Sequence, residues 1–367
     1  MNVLDVVFVI GGLSLLVGGG EALVRGASTL AVRAGISPLV IGLVVVSFAT
    51  SAPELAVSVG AVISGEPDLA VGNVVGSNIA NILLVLGISA VICPLVIKRQ
   101  LVKFDIPVMV AISVVFLLVS LDGRISLIDG VLLVGVLVIH AVMSIVLGKK
   151  DASAPNLEEN SLPFNTKPVP LWLAALLLLA GIGLLVLGAQ LLVTGAVSIA
   201  TAFGVSSLVI GLTVVAIGTS LPELATSIVA LRKGETDMAV GNIVGSNIFN
   251  IGLVLGVPAI IFGDGIPVPD AAIAIDIPLM LAAAIALLPI AFTGFIVARW
   301  EGALFVSLYV AYTLYLVLDS TQHDATDGFT TIMLWFVLPL VGIILIAMAS
   351  YEVGMRKKRK SQLPTNI

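Results

Sequence analysis

Charge is the scarcest commodity in this sequence. Asp, Glu, Lys and Arg make up only 11% of its 367 residues, against roughly a quarter in a soluble domain. With 59% hydrophobic residues and a mean hydropathy of +1.21, an ordinary water-soluble enzyme is excluded. Cysteine is nearly missing. Cys93 alone rules out an intrachain disulfide and a cysteine metal cluster, and it reads as a small apolar residue within a span. A net charge of -5 lacks the basic footprint of nucleic-acid binding. Histidine occurs twice, at His140 and His323, and neither lies in the polar motifs described below. An intramembrane hydrolase therefore lacks its nucleophile–base pair, and the chain is read as a non-enzyme.

What the chain has in abundance is long apolar runs. A transmembrane helix needs about 20 mostly apolar residues. Eleven stretches qualify: 3–24, 36–63, 69–97, 106–121, 125–147, 171–193, 205–231, 238–262, 271–293, 302–318 and 329–350. The start lacks a basic n-region, so the first run is expected to stay as a span rather than be cleaved. Loop charges test the count. With the N-terminus outside, 16 of the 17 basic residues fall inside and only Arg124 falls outside. Basic residues orient a chain by this asymmetry, which predicts an N-out, C-in protein of the cell (inner) membrane. The basic tail Arg356–Lys360 reads as an inside anchor.

Residues 35–87 match 204–256 at a constant offset of 169, with 35 of 53 positions identical. Shared apolar composition explains scattered Leu and Val matches. It does not explain Thr50/Thr219, Ser51/Ser220, Pro53/Pro222, Glu54/Glu223, Asn73/Asn242, Ser77/Ser246, Asn78/Asn247 and Asn81/Asn250. Five spans separate the copies, so the second is upside down relative to the first. Inverted repeats with a midplane site are a transporter architecture. The expected fold is an all-α polytopic membrane protein of two inverted five-helix repeats, a 10-helix core, plus an extra C-terminal helix. The first repeat spans 1–147, a cytoplasmic linker 148–170, the second repeat 171–320, and span 11 with its basic tail 321–367.

Glu54 and Glu223 sit deep in spans 2 and 7, where an acidic residue costs roughly 2.5–3.5 kcal/mol on insertion scales. Such residues mark function by default. Each follows Thr-Ser-x-Pro, and proline removes a helix hydrogen bond. Breaks are expected that free carbonyls around Ser47–Thr50 and Ala216–Thr219. Free carbonyls at membrane depth line a cavity or hold an ion. Spans 3 and 8 add Gly-Asn-x-Val-Gly-Ser-Asn-Ile-x-Asn, at 72–81 and 241–250. Ser77 with Asn81, and Ser246 with Asn250, are spaced i, i+4 on one face and read as ligands. Asn73, Asn78, Asn242 and Asn247 read equally as ligands or interhelical glue. Gly76 and Gly245 are expected to let helices approach closely. The donors are all oxygen, favouring Ca²⁺, Mg²⁺ or Na⁺ over zinc or copper. Ca²⁺ suits irregular sites of 6–8 oxygens, whereas Mg²⁺ prefers to keep water. Elsewhere, His140 reads as a lone core histidine, and Asp105, Asp129, Asp276 and Glu301 as solvated near span ends.

These motifs resemble the alpha repeats of the Ca²⁺:cation antiporter superfamily, and most nearly those of prokaryotic sodium/calcium exchangers. The resemblance covers residues 1 to about 320. It implies ten core helices, with spans 1 and 6 sliding against the others. It implies a central Ca²⁺ site of Glu54 and Glu223 with the Thr50 and Thr219 carbonyls, completed by Asn81 and Asn250. Flanking Na⁺ sites would use Ser51, Ser77, Ser220, Ser246 and the carbonyls of Ser47 and Ala216. Many sodium-coupled members carry Asp where Asn81 or Asn250 stands here, so this site has two fixed negative charges rather than three. The resulting expectation is a secondary antiporter exchanging Ca²⁺ for Na⁺ by alternating access, with those ions and membrane lipid as partners and no cofactor. A Ca²⁺/H⁺ antiporter is the alternative, and a passive cation channel the rival of another class.

Overall fold

The computed structural model describes residues 3–65, 67–152, 169–204, 213–214, 216–263, 265–323, 325–347, 350 and 354. Among these, ten helices are long and apolar enough to cross a membrane. We label the helices α1 (Val3–Ala34), α2 (Pro38–Ile63), α3 (Asp68–Ile92), α4 (Leu101–Ser120), α5 (Leu127–Ala152), α6 (Leu171–Ala202), α7 (Leu221–Arg232), α8 (Thr236–Ile261), α9 (Ala272–Phe292), α10 (Arg299–Ser320) and α11 (Ala325–Ala347). The stretch 205–231 falls partly outside the described residues, and α7 is its second half. Helix α5 continues to Ala152, five residues into the predicted linker, because nothing from Gly148 to Ala152 breaks a helix. The rest of that linker, 153–168, lies outside the described residues, as does most of the basic tail.

Successive helices alternate in direction. One face of the molecule carries Arg33, Lys98, Arg99, Lys103, Arg232, Lys233 and Arg299; we call it the basic face and its opposite the acidic face. Two short ribbons, absent from the all-helical expectation, join the repeats at the two faces. On the basic face β1 (Leu95–Val96) pairs antiparallel with β4 (Ile296–Val297). On the acidic face β2 (Arg124–Ile125) pairs with β3 (Ile266–Pro267). The registers are two-fold mates: Leu95 faces Val297 while Ile266 faces Ile125. Inversion of the second half is thus visible in backbone pairing as well as in sequence.

The interior divides into two apolar clusters. The larger joins α2–α5 to α8–α10 through Leu43, Val75, Met109, Phe116, Val244, Met280 and Phe305. The smaller packs α1 and α6 on α2, α7 and α8 through Leu16, Leu23, Val24, Val46, Leu185, Val229 and Met238. Helix α1 runs along α6, and the reason lies in glycine. A methyl built on Gly12 would stand 2.6 Å from Leu192 N and 2.7 Å from Gly188 O, and one on Gly26 2.6 Å from Ala174 O. Gly19, Gly181, Gly188 and Gly195 make equivalent approaches. Three glycines seven residues apart on each helix, offset by 169, let the two backbones touch, as small residues do between helices in lipid.

Cys93 is exposed beyond the end of α3, not packed within a span, because the helix stops at Ile92. Helix α11 contributes Leu345 to the larger cluster and exposes most of its other side chains.

Candidate ion-binding site

Both breaks form where proline demands them. Helix α2 is helical over Ser47–Thr50, bends at Ser51 and restarts at Ala52, with Pro53 in the first turn where its missing N–H is harmless. In the second repeat Ala216–Gly218 is a short helix, Thr219 and Ser220 turn, and α7 starts at Leu221 with Pro222 in its first turn. The liberation of carbonyls is smaller than expected. Ser47 O still accepts the Ser51 amide at 2.9 Å and also the Thr50 hydroxyl at 3.4 Å. In α3 and α8, wide π-type turns at Ala80–Leu86 and Asn250–Leu255 carry Asn81 and Asn250. The i, i+4 spacing of Ser246 and Asn250 holds, since the Asn250 amide donates to the Ser246 carbonyl where the wide turn begins. Inserted wide turns of this kind recur at functional sites.

Ser47, Thr50, Ser51, Glu54, Ser77, Asn81, Ser220, Glu223, Ser246 and Asn250 are all at most 2% exposed, and Thr219 is partly buried. Glu54 and Glu223 lie within electrostatic reach of each other. Ala216 opens the short helix just before Thr219. The first repeat's Thr50 Oγ1 lies 3.3 Å from Ser246 Oγ of the second, and Ser77 Oγ lies 3.5 Å from Thr219 Oγ1. The two motifs therefore meet crosswise.

Hydrogen-bond accounting separates unpartnered polar groups from bonded ones. Both oxygens of Glu54, both of Glu223, both polar atoms of Asn81, Asn250 Oδ1, Ser51 Oγ and Ser220 Oγ are buried without a protein partner among the described residues. An orphaned buried polar atom costs about 1–3 kcal/mol. A cluster of them, all but one oxygen, is suited to a cation. Of the four open asparagines, Asn73, Asn78 and Asn247 are held by the protein, and Asn242 is held through its oxygens while Nδ2 has no partner among the described residues. Asn73 Nδ2 donates to the Glu54 carbonyl at 3.2 Å and to Ser58 Oγ at 3.1 Å. Asn78 Nδ2 donates to the Asn247 carbonyl at 3.3 Å, and Asn78 Oδ1 accepts from Asn250 Nδ2 at 3.1 Å. Asn247 Nδ2 donates to the Ile243 carbonyl at 2.7 Å. Asn242 supplies its backbone carbonyl to Ser47 Oγ at 2.9 Å and Oδ1 to Thr50 Oγ1 at 3.3 Å. These bonds tie the asparagines to the elements that carry the unpartnered groups.

Gly245 behaves as expected: a methyl there would collide with Ser47 Oγ and the Leu43 carbonyl. The equivalent approach of Gly76 would involve the second repeat near 212–216, and 205–212 and 215 lie outside the described residues. A cavity of about 270 Å³ reaches Glu54 and Thr219 between the second half of α2 (Pro53, Val57), α6 (Val186, Ala189, Gln190, Val193, Thr194) and Pro222. From Glu54 the lining of α2 runs toward Ile63, so the cavity lies on the acidic-face side. Toward the basic face, Leu23, Val24, Ala27 and Ala31 of α1 pack in the cluster with Val229 and Ala230 of α7.

Two readings away from the site are corrected. Asp105 is fully buried, not solvated, and His140 is not alone. Asp105 Oδ1 lies 2.9 Å from His140 Nε2 and accepts from Ser144 Oγ at 2.9 Å, while Oδ2 accepts from Gln100 Nε2 at 3.2 Å. Glu301 is buried too, because Oε2 accepts the Ala298 amide at 2.7 Å at the start of α10. Asp129 accepts from the amide and hydroxyl of Ser126, and Asp276 accepts from Tyr312 Oη at 3.1 Å. The sequence reading also missed Ser58 and the α1–α6 glycines, although both obey the 169 offset.

Comparison with known proteins agrees with this geometry. The family model for sodium/calcium exchanger protein matches residues 4–146 and 173–318. The chain is 42% identical over 318 residues to the putative antiporter CaxA of Alkalimonas amylolytica, covering 86% of this chain and 98% of that one. It is 30% identical over 338 residues to the sodium/calcium exchanger MaX1 of Methanosarcina acetivorans, covering 83% and 96%. A solved structure of the sodium-calcium exchanger NCX_Mj, soaked with zero Na⁺ and Ca²⁺, superposes with a TM-score of 0.71 at 33% identity, covering 84% of this chain and 98% of that one. The chain is a multi-pass membrane protein and belongs to the sodium/calcium exchanger protein family.

Proposed function

We propose that this chain exchanges Ca²⁺ for Na⁺ across the membrane by alternating access around Glu54 and Glu223. One observation carries the reading: two buried glutamates on inverted repeats have carboxylate oxygens without a protein partner among the described residues, and Glu54 lines a cavity that also reaches Thr219 and Pro222 beside Glu223. The ions are substrates, and transport rather than covalent chemistry is the activity. Two carboxylates balance one Ca²⁺ in charge, and without a cation they would repel or retain a proton. Asn81, Asn250 and the carbonyls of Thr50 and Thr219 complete the Ca²⁺ shell. Ser51, Ser77, Ser220 and Ser246, with the Ser47 and Ala216 carbonyls, serve Na⁺. Sodium is preferred to the proton because the matching family and the named relatives MaX1 and NCX_Mj are sodium/calcium exchangers.

The chain sits in the cell membrane with its acidic face outside, its N-terminus outside and its C-terminus in the cytoplasm, by the positive-inside rule. The repeats 1–147 and 171–320 form the exchanging unit; 148–170 is a cytoplasmic linker and 321–367 an added span and tail. With that orientation, the cavity on the acidic-face side and the packing of α1 on α7 on the other support reading the described state as outward-open. The test is radiolabelled Ca²⁺ uptake into proteoliposomes. Uptake driven by an outward Na⁺ gradient is expected. Uptake driven only by an acid interior would replace sodium by protons. Uptake that follows the Ca²⁺ gradient alone would bring forward the channel.

A further inference from the structure

Residues that are identical in sequence and equivalent by symmetry are bonded differently in the two repeats. In the first, Asn73 of α3 reaches across to α2, donating to Ser58 Oγ at 3.1 Å and to the Glu54 carbonyl at 3.2 Å. In the second, the same positions are Ser227 and Asn242. There Ser227 Oγ and Asn242 Nδ2 are buried without a partner among the described residues, and Asn242 Oδ1 turns to Thr50 Oγ1 of the opposite repeat, 3.3 Å away. The bonded pair stands beside the open cavity and the idle pair on the sealed side. Ser58 follows Val57 of the cavity wall. Ser227 lies two residues from Val229, which packs against α1 close enough that a methyl on Gly20 would stand 3.1 Å from it.

We propose that Ser58–Asn73 and Ser227–Asn242 form an alternating clamp, closed only in the repeat whose broken helix faces an open cavity. The proposal rests on the alternating-access reading above. In the reverse state α1 leaves α7 and α6 closes on α2. Asn242 then donates to Ser227 Oγ and the Glu223 carbonyl, while Asn73 releases Ser58. Since the residue types are the same, each repeat is chemically able to take either arrangement, and one exchange of hydrogen bonds accompanies each half-cycle. The clamp fixes the carbonyl of the ligand-bearing glutamate, so these four residues position the site without touching the ion.

Two serine substitutions separate the states without altering any ion ligand. Ser58→Ala removes an acceptor used in the described state. Ser227→Ala removes a hydroxyl idle in that state and engaged in the reverse one. One hydrogen bond of ordinary strength changes the ratio of the two states by a factor of roughly 2 to 12. The readout is labelling by a membrane-impermeant maleimide in a Cys93→Ser background. Thr194→Cys lines the open cavity and reports from the acidic face. Val24→Cys, fully buried here, reports from the basic face when the opposite cavity forms.

Ser58→Ala is expected to slow labelling at position 194 and speed it at 24. Ser227→Ala is expected to do the opposite, and the double variant to return the ratio toward the parent's. Equal shifts in one direction, or no shift from either, would overturn the clamp. Should one variant fail to fold, the direction of the other decides. Labelling needs no ion gradient. Opposite shifts in vesicles that show no Na⁺-driven Ca²⁺ uptake would therefore uphold the clamp while removing the exchange reading.

Discussion

Replacing Gly19 by alanine drives a methyl group into the backbone of α6. It would stand 2.8 Å from Leu185 N, 2.9 Å from Gly181 O and 3.0 Å from Leu184 Cβ, against the 3.4 Å at which ordinary contact begins. Two of these are main-chain atoms within regular helix and cannot rotate aside, so α1 and α6 must part by about half an ångström along that line. Overpacking of this kind costs about 1–3 kcal/mol. Gly18 is the control, one residue away on the exposed side of α1, with no described atom within 4 Å of the added methyl. Gly18→Ala is expected to be neutral, or to stabilise by up to about 1 kcal/mol through helix propensity. Gly188→Ala presses the same interface, 2.9 Å from Gly12 O and Leu16 N. Parting the helices once relieves both collisions, so the Gly19→Ala/Gly188→Ala double variant should cost less than the sum of the singles. The assay is the thermal unfolding midpoint of purified protein in detergent, with Na⁺-driven Ca²⁺ uptake alongside. Equal midpoints for Gly18→Ala and Gly19→Ala, or strict additivity in the double variant, would refute a backbone-on-backbone contact.

The remaining predictions concern charge. Glu54→Gln and Glu223→Gln should each reduce Na⁺-driven Ca²⁺ uptake at least about 100-fold, since a displaced or neutralised ligand costs several kcal/mol, while the unfolding midpoint stays or rises; near-normal flux in either contradicts the site. Burial, with Asp237 adding to it and Lys98 opposing, pushes Glu235 from 4.5 up to about 7. The folded protein then binds that proton more tightly than the unfolded chain, so stability falls as pH rises from about 4.5 through about 7. Glu235→Gln should remove that fall and stabilise by about 1–3 kcal/mol at pH 8, allowing for solvent screening; a midpoint difference independent of pH between 5 and 8 contradicts it. Asp105→Leu leaves Gln100, His140 and Ser144 without their shared acceptor and should cost about 3–5 kcal/mol. Asp276→Leu abandons one donor, Tyr312, and should lower the midpoint less; the reverse order would show that the buried network is not what holds α4 to α5.

The polar groups of the candidate site were legible because inversion repeats them: a chance glutamate in lipid does not recur with Thr-Ser-x-Pro before it and Asn-x-Val-Gly-Ser-Asn after it. The loop charges were legible because a miscounted span would have scattered them. The wide turns at Asn81 and Asn250 were not, since nothing local in Ala-Asn-Ile-Leu or Asn-Ile-Gly-Leu marks an extra residue per turn. Asp105 and His140 are 35 residues apart and meet only through the packing of α4 on α5. Each therefore read separately, one as solvated and one as alone. The glycines at 12, 19 and 26 were within reach of the same offset that exposed the glutamates, but glycine in an apolar run draws no notice until its sevenfold spacing is counted.

The two ribbons have a mechanical meaning. By clasping the loop after α3 to the loop after α9, and the loop after α4 to the loop after α8, they lace the halves together at both membrane surfaces into a frame. Helices α1 and α6 are left out of the lacing. At the basic end they are tied to each other, where Arg33 Nη2 donates to the Val169 carbonyl at 2.9 Å just before α6, and α1 also meets the frame where Lys233 Nζ lies 3.5 Å from the Glu21 carbonyl. On the alternating-access reading proposed above, such a two-helix drawer would travel in its frame without unlacing a strand. In lipid it would trade apolar contact for apolar contact, a cheap exchange for a motion that alternating access would repeat with every ion.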